Sequence, residues 1–166
     1  MGVNLPGHRL NRCDICHYPL SAPVIIVLSE EMAEVNPGQT TQELLFIDDD
    51  ASVRLCWGMV FEDMCRSAGV SVIAAESADE GLELLVDERS NFWPLGVIVD
   101  GLEGECWRVT DRARACGVPV LLFTLRDELV YDADNRGVPA VMKSRDTNTI
   151  KHMVREVFPF MTEPDQ

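Results

Sequence analysis

Six polar side chains in this 166-residue sequence share one kind of position, immediately after a short apolar run. Asp48, Asp49 and Asp50 follow LLFI (44–47), and Asp100 follows LGVIV (95–99). Thr124 follows VPVLLF (118–123), and Lys143 follows VPAVM (138–142). Carboxylates brought together repel one another, and a hard divalent cation such as Mg2+, which prefers oxygen ligands and keeps several waters, is the usual remedy. A hydroxyl and an ammonium beside that ion make a place for phosphoryl oxygens. The set suits phosphoryl transfer onto a carboxylate.

The elements that must position these groups are visible in the rhythm of the chain. With VSVIAA (70–75), the apolar runs supply five strand candidates, and longer polar or amphipathic stretches separate them. Residues 52–69 place Val53, Trp57, Val60, Phe61 and Met64 at helical spacing, with Gly69 as a stop. Ser77 and Asp146 are suitable N-caps for the second and last helices. Strands apolar on both faces and joined through helices belong in a parallel sheet covered on both sides, with right-handed crossovers. The expected fold is therefore a doubly wound α/β domain. In such sheets ligands sit beyond the carboxyl ends of the strands, where all six side chains stand.

At these positions, across roughly residues 43–159, the chain resembles the receiver domains of response regulators in two-component signalling. The match lies in spacing as well as residue type. Asp100 comes 51 residues after Asp49, the Thr of PVLLFT 24 residues after Asp100, and the Lys of AVMK 19 residues after that. The resemblance implies a five-stranded sheet in the flavodoxin-like order 2-1-3-4-5 with helices on both faces, an order for which receivers are a standard example. It implies that Asp49 and Asp100 ligate Mg2+, that Asp48 holds a metal-bound water, and that Leu102 adds its backbone carbonyl. Asp100 would be the phosphoacceptor, taking its phosphoryl group from a histidine kinase or a histidine phosphotransfer protein. Lys143 would pair with a phosphoryl oxygen, and Thr124 would turn its hydroxyl toward the group. The protein would be a signalling phosphoacceptor and not an enzyme acting on other substrates.

The sequence also departs from the family pattern. Ser144 stands where receivers usually carry a Pro after the lysine, so a trans bond is expected there. Leu125 replaces a small residue after the threonine, and Ala140 replaces an aromatic three positions before the lysine. The usual coupling between threonine and aromatic therefore lacks one partner. The loop DGLEGECWRV is compact, with Trp107 and Arg108 available to shape a partner surface.

Composition narrows the alternatives. The chain has 14 Lys+Arg against 28 Asp+Glu, a net charge of −14, which disfavours a phosphate-binding basic face and hence nucleic acid. The apolar run APVIIVL (22–28) is far shorter than the roughly 20 residues of a membrane span. No membrane association and a cytoplasmic location are expected. Cys56, Cys65, Cys106 and Cys116 are then expected to be reduced thiols. Cys13, Cys16 and His17 spell C-x-x-C-H, but haem attachment requires export and a zinc site requires further ligands, so structural or incidental use is the reading.

Residues 1–42, with four prolines, read as an irregular leader, residues 43–159 as the receiver, and residues 160–166 as a tail. No helix-turn-helix follows, so a single-domain regulator is expected, acting through an unknown protein target or as a phosphate sink. A homodimer is compatible with this. One alternative is a receiver-like interaction module independent of phosphorylation, favoured by Ala140, Leu125 and Ser144. A Mg2+-dependent phosphatase would need a second acid at position 102, where Leu102 stands.

Overall fold

A computed structural model of the chain describes residues 42–86 and 94–161. The leader, with its Cys13-Cys16-His17 motif, lies outside the described residues apart from Gln42. Five strands, β1 (Glu43–Ile47), β2 (Ser71–Ala75), β3 (Pro94–Val99), β4 (Val120–Thr124) and β5 (Ala140–Met142), alternate with five helices. The helices are α1 (Ala51–Cys65), α2 (Ala78–Val86), α3 (Cys106–Ala115), α4 (Asp127–Asn135) and α5 (Thr147–Val157). All strand pairs are parallel, in the order β2-β1-β3-β4-β5. The expected doubly wound sheet is the one found.

Alternation along the strands builds two cores. Leu44, Phe46, Ile98, Leu121, Phe123 and Val141 face α1 and α5, whereas Leu45, Ile47, Val97, Val99, Val120 and Leu122 face α2, α3 and α4. In the first core, Trp57 meets Phe123 edge-on with ring centroids 4.9 Å apart, and Phe46 meets Phe61 at 5.0 Å. Gly96 in β3 is required by close approach. A Cβ there would lie 2.3 Å from Cε1 of Phe158.

The helix boundaries follow local chemistry. Asp50 caps α1, its Oδ1 accepting from the amides of Ser52 and Val53 at 2.8 and 3.2 Å. Gly69, at φ +66°, ends the short 3-10 turn after α1. Ser77 accepts from the amide of Glu80 at 3.2 Å, and Glu80 returns its carboxylate to the amide of Glu76 at 2.7 Å, a reciprocal cap for α2. Asp146 caps α5 through the amide of Thr149 at 3.0 Å. Beyond α5, Pro159–Met161 forms one more 3-10 turn that buries Met161.

The cysteines behave unequally. Cys65, Cys106 and Cys116 are free thiols, but Cys56 is disulfide-bonded, which corrects the expectation that all four are reduced. That expectation followed from the assumed compartment and not from any feature around Cys56. No described helix is long and apolar enough to cross a membrane.

Candidate functional site

Parallel pairing carries the strand ends into one plane, and backbone bonds continue the ladder one residue further. The amide of Asp48 donates to the carbonyl of Ala75 at 3.1 Å, that of Asp100 to Ile47 at 2.8 Å, and that of Lys143 to Thr124 at 2.8 Å. Ile47 is in register with Val99, so Asp48 and Asp100 leave adjacent strands side by side. Asp48, Asp100 and Lys143 also continue the alternation of Phe46, Ile98 and Val141, placing all three toward the α1/α5 side.

The geometry is compact. Among the described residues, Asp48, Asp49 and Asp100 each offer an oxygen within 4.8 Å of the others. Lys143 enters from β5, its Nζ 2.5 Å from Oδ2 of Asp48 and 2.6 Å from Oδ1 of Asp100. Asp48 is fully buried, Asp100 is half-buried, and Asp49 is exposed at the lip. Burial pushes the Asp48 carboxyl above its ordinary value, an effect opposed by its hydrogen bond and charge pairing with Lys143 and increased by the charge of Asp100. The other oxygen of Asp48 accepts from the amide of Asp50 at 3.0 Å. Arg54 holds the same strand end by donating from Nη1 to the Asp48 carbonyl at 2.6 Å.

Asp50 is near this cluster in sequence but not in role. Its carboxylate turns away to cap α1, so the acidic run contributes two carboxylates and not three. The structure thus separates residues that the sequence presents as one run.

The turn after Asp100 folds back on the acceptor. Leu102 and Glu103 both take positive φ, 43° and 53°, and the amide of Leu102 donates to Oδ2 of Asp100 at 3.2 Å. The Leu102 carbonyl accepts from the amide of Glu105 at 2.9 Å and retains a second lone pair. Thr124 is buried, and its Oγ1 accepts from the amide of Arg126 at 3.1 Å. Val99 pairs with Leu122, which sets Gly101 beside Thr124. A Cβ on Gly101 would lie 3.1 Å from Thr124 Oγ1 and 2.6 Å from Leu129 Cδ1. The role of Gly101 was not legible in the sequence, since only the register brings the hydroxyl against its backbone.

Around the lip, Arg108 ties α3 to the first turn of α2. It pairs with Asp79 at 3.1 Å and with Glu105. Trp107 lies under Arg136, whose guanidinium carbon is 4.2 Å from the ring centroid. Ser144 follows Lys143 through a trans peptide bond, and Leu125 is 63% exposed at the end of β4. Ala140, half-buried in β5, packs against the second core.

The donor set fits a small hard cation. It consists of carboxylate oxygens at mutual ligand distance, with further oxygens of Asp49 on an open lip where water can complete a shell. Lys143 alone already neutralises part of the charge of Asp48 and Asp100.

No family model matches the chain, and no curated protein does. Among solved structures, it is similar to the response regulator receiver protein of Burkholderia phymatum, at 26% identity and a TM-score of 0.56, covering 70% of this chain and 94% of that one. A CheY-like response regulator receiver domain protein of Methanospirillum hungatei matches at 17% identity and a TM-score of 0.55, covering 74% and 97%. A Thermotoga maritima response regulator, solved in complex with Mg2+-BeF, matches at 19% identity and a TM-score of 0.53, covering 71% and 100%.

Proposed function

From a chain with the receiver fold of response regulators, we propose a Mg2+-dependent phosphoacceptor whose acceptor is Asp100. The observation that carries this reading is the contact of Lys143 Nζ with both Asp48 and Asp100 beside the exposed Asp49. It assembles a nucleophilic carboxylate, a cation for phosphoryl oxygens and an oxygen-rich metal site within one strand-end cluster.

In the proposed reaction an oxygen of Asp100 attacks the phosphorus of a phosphohistidine on a kinase or phosphotransfer protein. The P–O bond of an acyl phosphate forms as the P–N bond breaks, and the electron pair returns to the imidazole. Asp49, Asp100 and the carbonyl of Leu102 would hold Mg2+, with Asp48 supporting a bound water. Mg2+, when bound, supplies neutralisation of the negative charge on the transferring phosphoryl oxygens. Lys143 turns from the carboxylate toward a phosphoryl oxygen, and Thr124 presents its hydroxyl from the next strand. Output then passes to a protein target in a cytoplasmic two-component pathway.

A second reading, an interaction module that works without phosphate, is favoured by the residues beside the switch position. Leu125 is exposed and Ala140 is small, so no aromatic occupies the β5 position through which Thr124 would report. Borohydride reduction separates the two readings, because it converts an aspartyl phosphate to homoserine. After incubation with phosphoramidate and Mg2+, homoserine at position 100 supports the first reading. Retention of aspartate there in the treated protein supports the second.

A further inference from the structure

The edge of the sheet opposite the acids carries an apolar cleft that phosphoryl transfer does not use. It lies where the chain enters β4 and β5, between those entry loops and the last turns of α5, and has a volume of about 510 Å³. Pro119 and Pro139 stand exposed on its floor, Met153 and Val157 form a wall, and Arg114 and Glu156 mark the rim. Clefts of about 300–1,000 Å³, lined mostly by apolar side chains with a few polar groups, are the usual form of small-ligand sites. The floor gives little to a peptide backbone. Both prolines lack an amide hydrogen, and their carbonyls already accept from the amides of Val97 and Leu122 at 2.9 Å. The amides of Val118 and Val138, beside them, donate to the carbonyls of Ala113 and Ala133, also at 2.9 Å. A peptide strand draws its affinity from main-chain hydrogen bonds and finds no free partner among these groups. The floor suits a compact organic ligand instead.

Polar recognition falls to Arg114, which among the described lining residues is the side chain that carries N–H donors. Its guanidinium is held in place by donating from Nη1 to the carbonyl of Arg136 at 2.9 Å. Arg136 adds a second positive charge, its own guanidinium lying over the ring of Trp107. Among the described residues neither arginine forms an ion pair, in a chain with 28 Asp+Glu against 14 Lys+Arg. Glu156, at the other rim, faces His152 along α5 at 3.4 Å and repels an anion from that end. The two rims thus differ in the charge they accept. We propose that the cleft binds a small monocarboxylate with a compact apolar body. Its carboxylate pairs with the Arg114 guanidinium, and its apolar part lies over Pro119 and Pro139 against Met153 and Val157. The planar fork of a guanidinium matches a carboxylate, and such charge-assisted bonds are roughly twice as strong as neutral ones. The net charge of −14 repels anions from the surface at large, so a local cation at the mouth of an apolar cleft is what selects this ligand. No lining residue belongs to the acceptor cluster, so the site stands apart from phosphoryl transfer.

The test titrates the full chain with octanoate, and separately with octan-1-ol and octylammonium, which keep the apolar length and remove or reverse the charge. The 13C methyl resonance of Met153 is followed by NMR. Octanoate is expected to shift it saturably, while those of Met64 and Met161, buried in the core, stay in place. Octan-1-ol and octylammonium are expected to bind more weakly. Arg114→Gln is expected to weaken octanoate about tenfold, the scale of a lost charged hydrogen bond, and to leave octan-1-ol unchanged, which shows that the cleft is still formed. An unmoved Met153 resonance in octanoate would overturn the proposal. So would octylammonium binding as tightly as octanoate, which would make the overall charge of the chain decisive, or an octanoate affinity unchanged in Arg114→Gln.

Discussion

Lys143 closes an ion pair with Asp48 across 95 residues of sequence, Nζ to Oδ2 at 2.5 Å, with both side chains almost wholly removed from water. A buried carboxylate is tolerated when its partner is present and becomes a liability when it is not. Lys143→Met is therefore expected to lower unfolding stability in EDTA by about 3–5 kcal/mol, since it strands Asp48. Adding Asp48→Asn to that variant is expected to recover much of the loss. Urea unfolding of the two single variants and the double variant checks this, and additive losses would show that the pair is not coupled.

Two glycines are predicted to fail in different ways. Gly96→Ala drives a methyl group into the ring of Phe158, 2.3 Å from Cε1, and is expected to cost about 1–3 kcal/mol of stability. Gly101→Ala meets the flexible end of Leu129 and the hydroxyl of Thr124. Its stability loss should be the smaller, with phosphoryl uptake reduced several-fold. Urea midpoints and phosphorylation rates on the same two proteins separate packing from site geometry.

The α5 cap supplies a pH test. Hydrogen bonds from the side chain and amide of Thr149 hold the Asp146 carboxyl below its ordinary 3.8. A lowered folded value means stability that is present above 3.8 and lost as pH falls through the depressed value. Asp146→Asn retains a capping oxygen but does not titrate. Unfolding midpoints of the two proteins should therefore differ at neutral pH, with the gap narrowing as pH drops below 3.8.

The free thiols should report burial directly. Burial pushes Cys65 and Cys106 up to about 11, and the charge of Asp100 adds to the rise at Cys106. Stability linked to these two thiols is complete below their ordinary 9.0 and is lost as pH rises through about 11. At pH 8, a thiol reagent should modify the half-buried Cys116 first and reach Cys65 and Cys106 only in denaturant. Peptide mapping after timed labelling gives the order.

Much of this architecture was legible in the sequence because each site residue follows a strand, and parallel pairing carries strand ends to one edge. Spacing thus anticipated that Asp48, Asp49, Asp100 and Lys143 converge. It also anticipated the caps at Ser77 and Asp146, because capping is local chemistry. The resemblance already left Asp50 out of the ligand set, but residue type alone did not give its role, since a carboxylate on an N-cap and one on a site look alike until the first turn of α1 has a direction. Gly101 and Arg54 were equally hidden. One matters through the register between β3 and β4, and the other through a contact with a carbonyl six residues away. The disulfide state of Cys56 was not anticipated from the sequence either.

The most direct test of the phosphoacceptor reading is the mass of the intact chain after incubation with acetyl phosphate, with and without Mg2+, for the wild type and Asp100→Ala. The account predicts a gain of about one phosphoryl group that requires Mg2+ and vanishes in Asp100→Ala. A Mg2+-independent adduct, one that survives in Asp100→Ala, or none in the wild type would contradict it.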